Sequence, residues 1–255
     1  MGRKKSGSRT APAAKGEIRW KWLAERGFYV FDDEHQLAYM QALWAPVESV
    51  QAVFCEARAG TGKTTLAVLA GVYEVEAGTY DKLIYLRNTV PVREVGFLPG
   101  GVDEKQLPFM APLVGAMEVV QPGLYGKWAR PDPMKKEPPK VEALSTAFIR
   151  GLTWRRAFVI LDEAQSFDLE EIQTALTRCA DDCKVVVLGS LRQNDNRKIK
   201  RVHGLTPFEL FMLHFKGMPL VSYCTLETNY RGWLSNHADD VMGTVEKVKE
   251  TRGVV

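Results

Sequence analysis

The chain has 255 residues, enough for one generous domain or two small ones, and a core of that size buries about 70–75% of the unfolded surface. Hydrophobic residues make up 45% and charged residues 25%, which excludes disordered and fibrous classes. Four scattered cysteines and the lack of any apolar run near 20 residues argue against a secreted disulfide framework or a membrane span, so a cytoplasmic protein without a membrane partner is expected.

Residues 1–16 carry Arg3, Lys4, Lys5, Arg9 and Lys15 with no acid, so the +3 total leaves about −2 on the remainder. The basicity belongs to a Gly/Ser/Ala/Lys-rich leader, and 1–17 is expected to be a disordered basic tail ahead of one folded domain, 18–255. From Asp32, read as a capping residue, EHQLAYMQALW places Leu37, Met40, Gln41 and Trp44 at helical spacing. Five short apolar runs follow: Ala52 to Cys55, Leu83 to Leu86, Phe158 to Leu161, Val185 to Leu188 and Leu220 to Tyr223. Unbroken rather than alternating apolarity marks strands covered on both faces, hence an α/β fold with a mainly parallel sheet between two helical layers. Leu66, Leu69, Ala70, Tyr73 and Ala77 form a helix stripe stopped by Gly78, and Leu169, Ile172, Gln173 and Leu176 form another. The segment 127–140, rich in proline and charge, reads as an exposed loop. Cys179 and Cys183 stand four apart without a second pair at zinc-ligand spacing, so small buried thiols are expected rather than a metal site.

AVFCEARAGTGKTTLAVLAGVYE reads as strand, glycine-rich turn, helix. Gly60, Thr61 and Gly62 can turn backbone N–H groups onto an anion beside Ala59, which is expected to line the phosphates, and the helix starting near Lys63 adds its positive end. Lys63 is expected to bridge the β and γ phosphates of ATP, Thr64 to place its hydroxyl on Mg2+, and Thr65 to line the phosphates. The pattern is the relaxed form of a P-loop, because its first position is Ala57 rather than glycine. AFVILDEAQ supplies the other half: a buried strand ending in two adjacent carboxylates, where open α/β sheets bind their ligands. Asp162 is the expected metal holder and Glu163 the base for a water attacking the γ-phosphate. The alternative is that these acids merely cap the following helix, for which a single acid would suffice.

With these residues in hand, the chain resembles the PhoH-like family of P-loop ATPases, relatives of superfamily 1 helicase motors. The most specific part is the stretch in which Arg87 leads to Gly96, Phe97, Leu98, Pro99, Gly100 and then Lys105, joined by FIRG at 148–151. The resemblance implies a RecA-like three-layer P-loop core, with ATP and Mg2+ as cofactors. It further implies that Gln36 reads the adenine edge. It implies that Gln193 senses the γ-phosphate after the next strand and that Arg231 in ETNYRG stabilises transferring charge, in cis or across a subunit boundary. Gln36 also suits an exposed helix polar, and Asn229-Tyr230-Arg231 an ordinary surface turn. The sensor segment departs from the family's GDxxQ, since Ser190 stands where the acid would be.

Two functions follow. The first is Mg-dependent ATP hydrolysis coupled to RNA or single-stranded DNA, with Arg87, Arg93, Lys105 and Arg150 as candidate strand contacts. Only one motor core is present in the sequence, so this reading expects a homo-oligomer. The second is an ATP-dependent conformational switch that recruits a partner with little turnover, to which Ser190 lends support.

Overall fold

A computed structural model of the chain describes residues 15–88, 102–130, 134, 137–191 and 199–252. Its centre is a six-stranded sheet built from β1 (Ala52–Ala57), β2 (Lys82–Arg87), β3 (Val141–Leu144), β4 (Ala157–Asp162), β5 (Lys184–Gly189) and β6 (Val221–Leu226). The strand order is β3-β2-β4-β5-β1-β6, and every pairing is parallel. All six residues of β4 and of β5 are buried, as unbroken apolar runs require when helices cover both faces.

Alternate residues feed two cores. Val53, Cys55, Leu83, Tyr85, Phe158, Ile160, Val186 and Leu188 point to one face. There they meet α1 (Lys15–Ala24), α2 (Glu34–Trp44), α3 (Lys63–Glu76), α4 (Val102–Val120) and α5 (Leu124–Trp128). Phe54, Ile84, Leu86, Val159, Leu161, Val185 and Val187 point to the other. That face is covered by α6 (Leu169–Leu176) and α7 (Pro207–Phe215). The short α8 (Trp233–Asp239) and α9 (Val241–Arg252) follow the last strand. The expected α/β three-layer fold with a parallel sheet is therefore the observed one. No helix among the described residues is long and apolar enough to cross a membrane.

Several local expectations need correction. The first helix begins at Lys15, ahead of the boundary expected at residue 17, and Arg19 locks it down with an ion pair to Glu74 at 2.6 Å and a hydrogen bond to the Trp44 carbonyl. The cap of α2 is Asp33 rather than Asp32: its carboxylate accepts the N–H groups of His35 and Gln36, while Asp32 ends a short 3-10 turn, Val30–Asp32. The buried face of α2 is Tyr39, Met40, Ala42, Leu43 and Trp44, whereas Gln41 is exposed. The stretch 127–140 is not a loop from its start, because Trp128 closes α5 and is buried; the Lys140 N–H donates to its carbonyl. Strand β3 and helix α4 carry no strong sequence signal. The first is short and contains Glu142, and the second is interrupted by Pro108 and Pro112, which break the usual helical pattern.

Candidate nucleotide site

The carboxyl ends of β1, β2 and β4 meet at one cleft of about 590 Å3, lined among others by Gly60, Lys63, Thr64, Arg87, Glu163 and Arg231. One wall is a small-residue face of α4, made of Ala111, Pro112, Gly115 and Ala116. Strand β5 lies between β1 and β4, so the glycine-rich turn and the paired acids approach each other across its end.

Between β1 and α3 the chain reverses through Gly60 at φ +80° and Gly62 at φ +85°, conformations that cost a side-chain-bearing residue about 1–2 kcal/mol. Gly60 is indispensable for a second reason. A Cβ there would lie 2.4 Å from Asn229 Oδ1 and 3.1 Å from Arg231 Cδ. Thr61 is buried and its hydroxyl donates to the Arg58 carbonyl, which closes the turn on itself. Lys63 opens α3 and is only 6% exposed, while the buried Tyr39 hydroxyl donates to its carbonyl at 3.2 Å. Ala59, Thr64 and Thr65 line the cleft beside it, as expected.

Asp162 ends β4 and is 1% exposed. The Thr64 hydroxyl donates to its Oδ1 at 3.0 Å and the Tyr85 hydroxyl to its Oδ2 at 2.5 Å. Burial pushes this carboxyl above its ordinary value and Glu163 adds to the rise, against the lowering influence of Tyr85, Arg87 and Lys63. A buried carboxylate beside a hydroxyl, both facing a phosphate cradle, is a hard-oxygen donor set that fits Mg2+. Glu163 follows in a left-handed conformation, φ 57°, rare for a non-glycine residue. Its carbonyl accepts both the N–H and the hydroxyl of Ser166. One carboxylate oxygen lies 3.9 Å from Arg87 and the other accepts from the Gln165 amide at 2.5 Å. The acids do not cap α6: that helix has its own capping box, made by Asp168 and Glu171.

The chain after β6 returns to the cradle. The Tyr230 N–H donates to the Gly60 carbonyl at 2.9 Å, and Arg231 lines the same cleft as Lys63 of its own chain. Asn229 Oδ1 accepts the Arg231 N–H, fixing the turn. The Tyr230 hydroxyl donates to Asp33 Oδ2 at 2.8 Å, which ties this turn to α2. Burial alone would raise the Asp33 carboxyl, but hydrogen bonds from the Gln36 N–H, Tyr230, Thr228 and the His35 N–H outweigh it and hold it below its ordinary value. Gln36, in the first turn of α2, sits against the cradle: its amide donates to the Thr61 carbonyl at 3.2 Å.

Of the expected nucleotide-site residues, Gln193 lies outside the described residues, as do Arg93 and the side chain of Lys105 among the candidate strand contacts. The Gly96–Gly100 stretch is outside them too, and Arg150 stands apart from the cleft, beside a groove with Thr146, Asp168 and Glu170. Sequence reasoning missed Tyr85, Gln165, Tyr230 and Asp33 as site residues. A signal existed for Tyr85, since a phenol in an otherwise aliphatic buried strand needs a polar partner.

A family model described as PhoH-like protein matches residues 31–231. Protein PhoH2 of Bacillus subtilis (strain 168) is 31% identical over 229 residues, covering 84% of this chain and 50% of that protein. A PhoH-like protein of Synechocystis (strain PCC 6803) is 36% identical over 151 residues, 58% of this chain and 44% of the relative. Protein PhoH of Escherichia coli (strain K12) is 31% identical over 164 residues, 64% and 44% respectively. The chain thus spans half or less of the length of these curated relatives.

Proposed function

The chain belongs to the PhoH-like family, and from that premise we propose that it binds and hydrolyses ATP at the cleft between the cradle and the paired acids. The observation that carries the reading is the convergence of Lys63, Thr64, Asp162, Glu163 and Arg231 on one cavity of about 590 Å3. The backbone at Gly60, Thr61 and Gly62 receives the phosphate chain, and Lys63 neutralises it at the β and γ positions. Thr64 and Asp162 hold Mg2+, which when bound neutralises phosphate charge and orients the terminal phosphoryl group. Glu163 takes a proton from the attacking water, Arg231 stabilises the charge on the departing phosphoryl in cis, and Gln193 senses that group. Gln36, poised beside Thr61, reads the adenine edge.

Coupling to RNA or single-stranded DNA belongs to the same proposal. Its support is Arg150 and a 64%-exposed Phe148 beyond β3, an exposed cation and an exposed ring two residues apart in the chain. Self-association is tested by gel filtration with and without ATP. The alternative is a nucleotide-dependent switch with little turnover, favoured by Ser190, whose buried hydroxyl has no partner among the described residues and which stands where the family carries an acid.

The deciding experiment measures phosphate release, with and without single-stranded RNA, for the native chain and Glu163→Gln. Hydrolysis is expected in the native chain, falling about 100-fold or more in the variant while ATP still binds. Equal rates in both remove Glu163 as base. ATP binding without turnover under every condition replaces hydrolysis by the switch.

A further inference from the structure

Glu163 needs a partner that aims its carboxylate, because its side chain leaves a left-handed backbone at the end of β4. Gln165, two residues on and 8% exposed, makes two hydrogen bonds with its amide. Nε2 donates to Glu163 Oε2 at 2.5 Å, and Oε1 accepts the Ser190 N–H at 2.9 Å. The orientation of this amide is not arbitrary. A backbone N–H can only donate, so the carbonyl end must face Ser190, and the remaining NH2 end must then face a carboxylate, which can only accept.

We propose that Gln165 is a positioning residue that transmits the place of the β5 terminus to Glu163, fixing which carboxylate oxygen is offered to water. Occupation of Oε2 by the amide leaves Oε1, the oxygen nearer Arg87, for the proton. Ser190 is the first residue beyond β5, the strand inserted between cradle and acids, so a ligand that shifts this strand end pulls the amide and turns Glu163 with it. This rests on Glu163 being the base, and the test separates the two.

Gln165→Met keeps length and removes both bonds. Gln165→Glu keeps an acceptor for Ser190 but loses the donor and sets a like charge against Glu163, with Asp162 and Arg87 close by. The measurements are kcat and KM for ATP, ATP affinity from a fluorescent analogue, and the melting temperature. Expected for Gln165→Met is a 10- to 100-fold loss in kcat, with KM and affinity within threefold. Gln165→Glu is expected to be at least as slow although its bond to Ser190 survives. In a Glu163→Gln background, Gln165→Met is expected to add nothing further. If Gln165→Glu turns over within threefold of the native chain, the amide merely tethers Ser190 and the coupling is wrong. The coupling is equally wrong if Gln165→Met slows Glu163→Gln by the same factor as it slows the native chain. Should Glu163→Gln alone hydrolyse normally, it is the base assignment that fails. A poorly folded Gln165→Met leaves the decision to Gln165→Glu.

Discussion

Tyr85 and Tyr39 offer a matched pair of atom deletions in one core. Both phenols are fully buried and both donate a single hydrogen bond, but Tyr85 donates to the Asp162 carboxylate at 2.5 Å and Tyr39 to the Lys63 carbonyl at 3.2 Å. Replacing each by phenylalanine removes one oxygen and the single hydrogen bond it donates, while the Lys63 carbonyl keeps its helical acceptor role. A bond to a charged group contributes about 1.5–3 kcal/mol and a neutral one about 0.5–1.5 kcal/mol. Tyr85→Phe is therefore expected to cost about twice as much as Tyr39→Phe in urea unfolding of the nucleotide-free protein at neutral pH. For a chain of this size that corresponds to a melting-temperature loss of about 3–12 °C for Tyr85→Phe. The pH dependence has a definite sign. Burial raises the Asp162 carboxyl, so its contribution to stability is fully present at acid pH, below its unfolded value of 3.8. That contribution is lost as the pH rises through the folded value. Removing the Tyr85 donor makes ionisation harder still, so the cost of Tyr85→Phe shrinks as the pH falls and Asp162 takes up its proton. If Tyr39→Phe proves as costly as Tyr85→Phe at neutral pH, Asp162 is not ionised in the free protein and the reasoning about the metal ligand collapses.

Three further outcomes are expected. Burial lowers Lys184, whose ammonium is spent on the Ala42 and Val50 carbonyls, from 10.5 to about 8. Its folded value is depressed, so stability is gained as pH rises from about 8 toward 10.5. Relative to Lys184→Met, the native chain should gain about 2–3 kcal/mol between pH 7 and 10 in urea titrations, and parallel curves would show that the ammonium is not strained. Gly60→Ala adds a carbon against Asn229 and Arg231 at a positive φ. ATP affinity measured by calorimetry should drop about tenfold or more, and unchanged affinity would mean the 229–231 turn is not seated on the cradle. Asp33→Ala removes both the α2 cap and the Tyr230 acceptor, for which about 1–2 kcal/mol of stability loss is expected by chemical denaturation. A loss under 0.3 kcal/mol would show that neither bond matters in solution.

The sheet and the phosphate cradle were legible because burial on both faces and glycine at positive φ leave direct marks on the sequence. The five apolar runs became five of the six strands, with β6 starting one residue later, at Val221. What escaped reading depended on partners far away in the chain. Nothing near Asp33 says that Tyr230 will be its partner, and nothing in β2 says that Tyr85 will face Asp162. Gln165 stood in plain view inside AFVILDEAQ, yet its role appears only once β5 is placed beside β4. Helix α4 was hidden by Pro108 and Pro112, whose local preference was overridden by packing against α3 and β2.

The hydrogen bond between Tyr230 and Asp33 has a topological meaning. It joins residues 197 positions apart, and they stand almost at the two limits of the family match, 31 and 231. The matched unit is thus closed on itself like a ring with a clasp, and its entry and exit lie side by side. A module of that shape can be spliced into a longer polypeptide at one point without stretching the host. It is equally suited to circular permutation, with a short linker over the clasp and new ends cut in an exposed turn remote from the cradle.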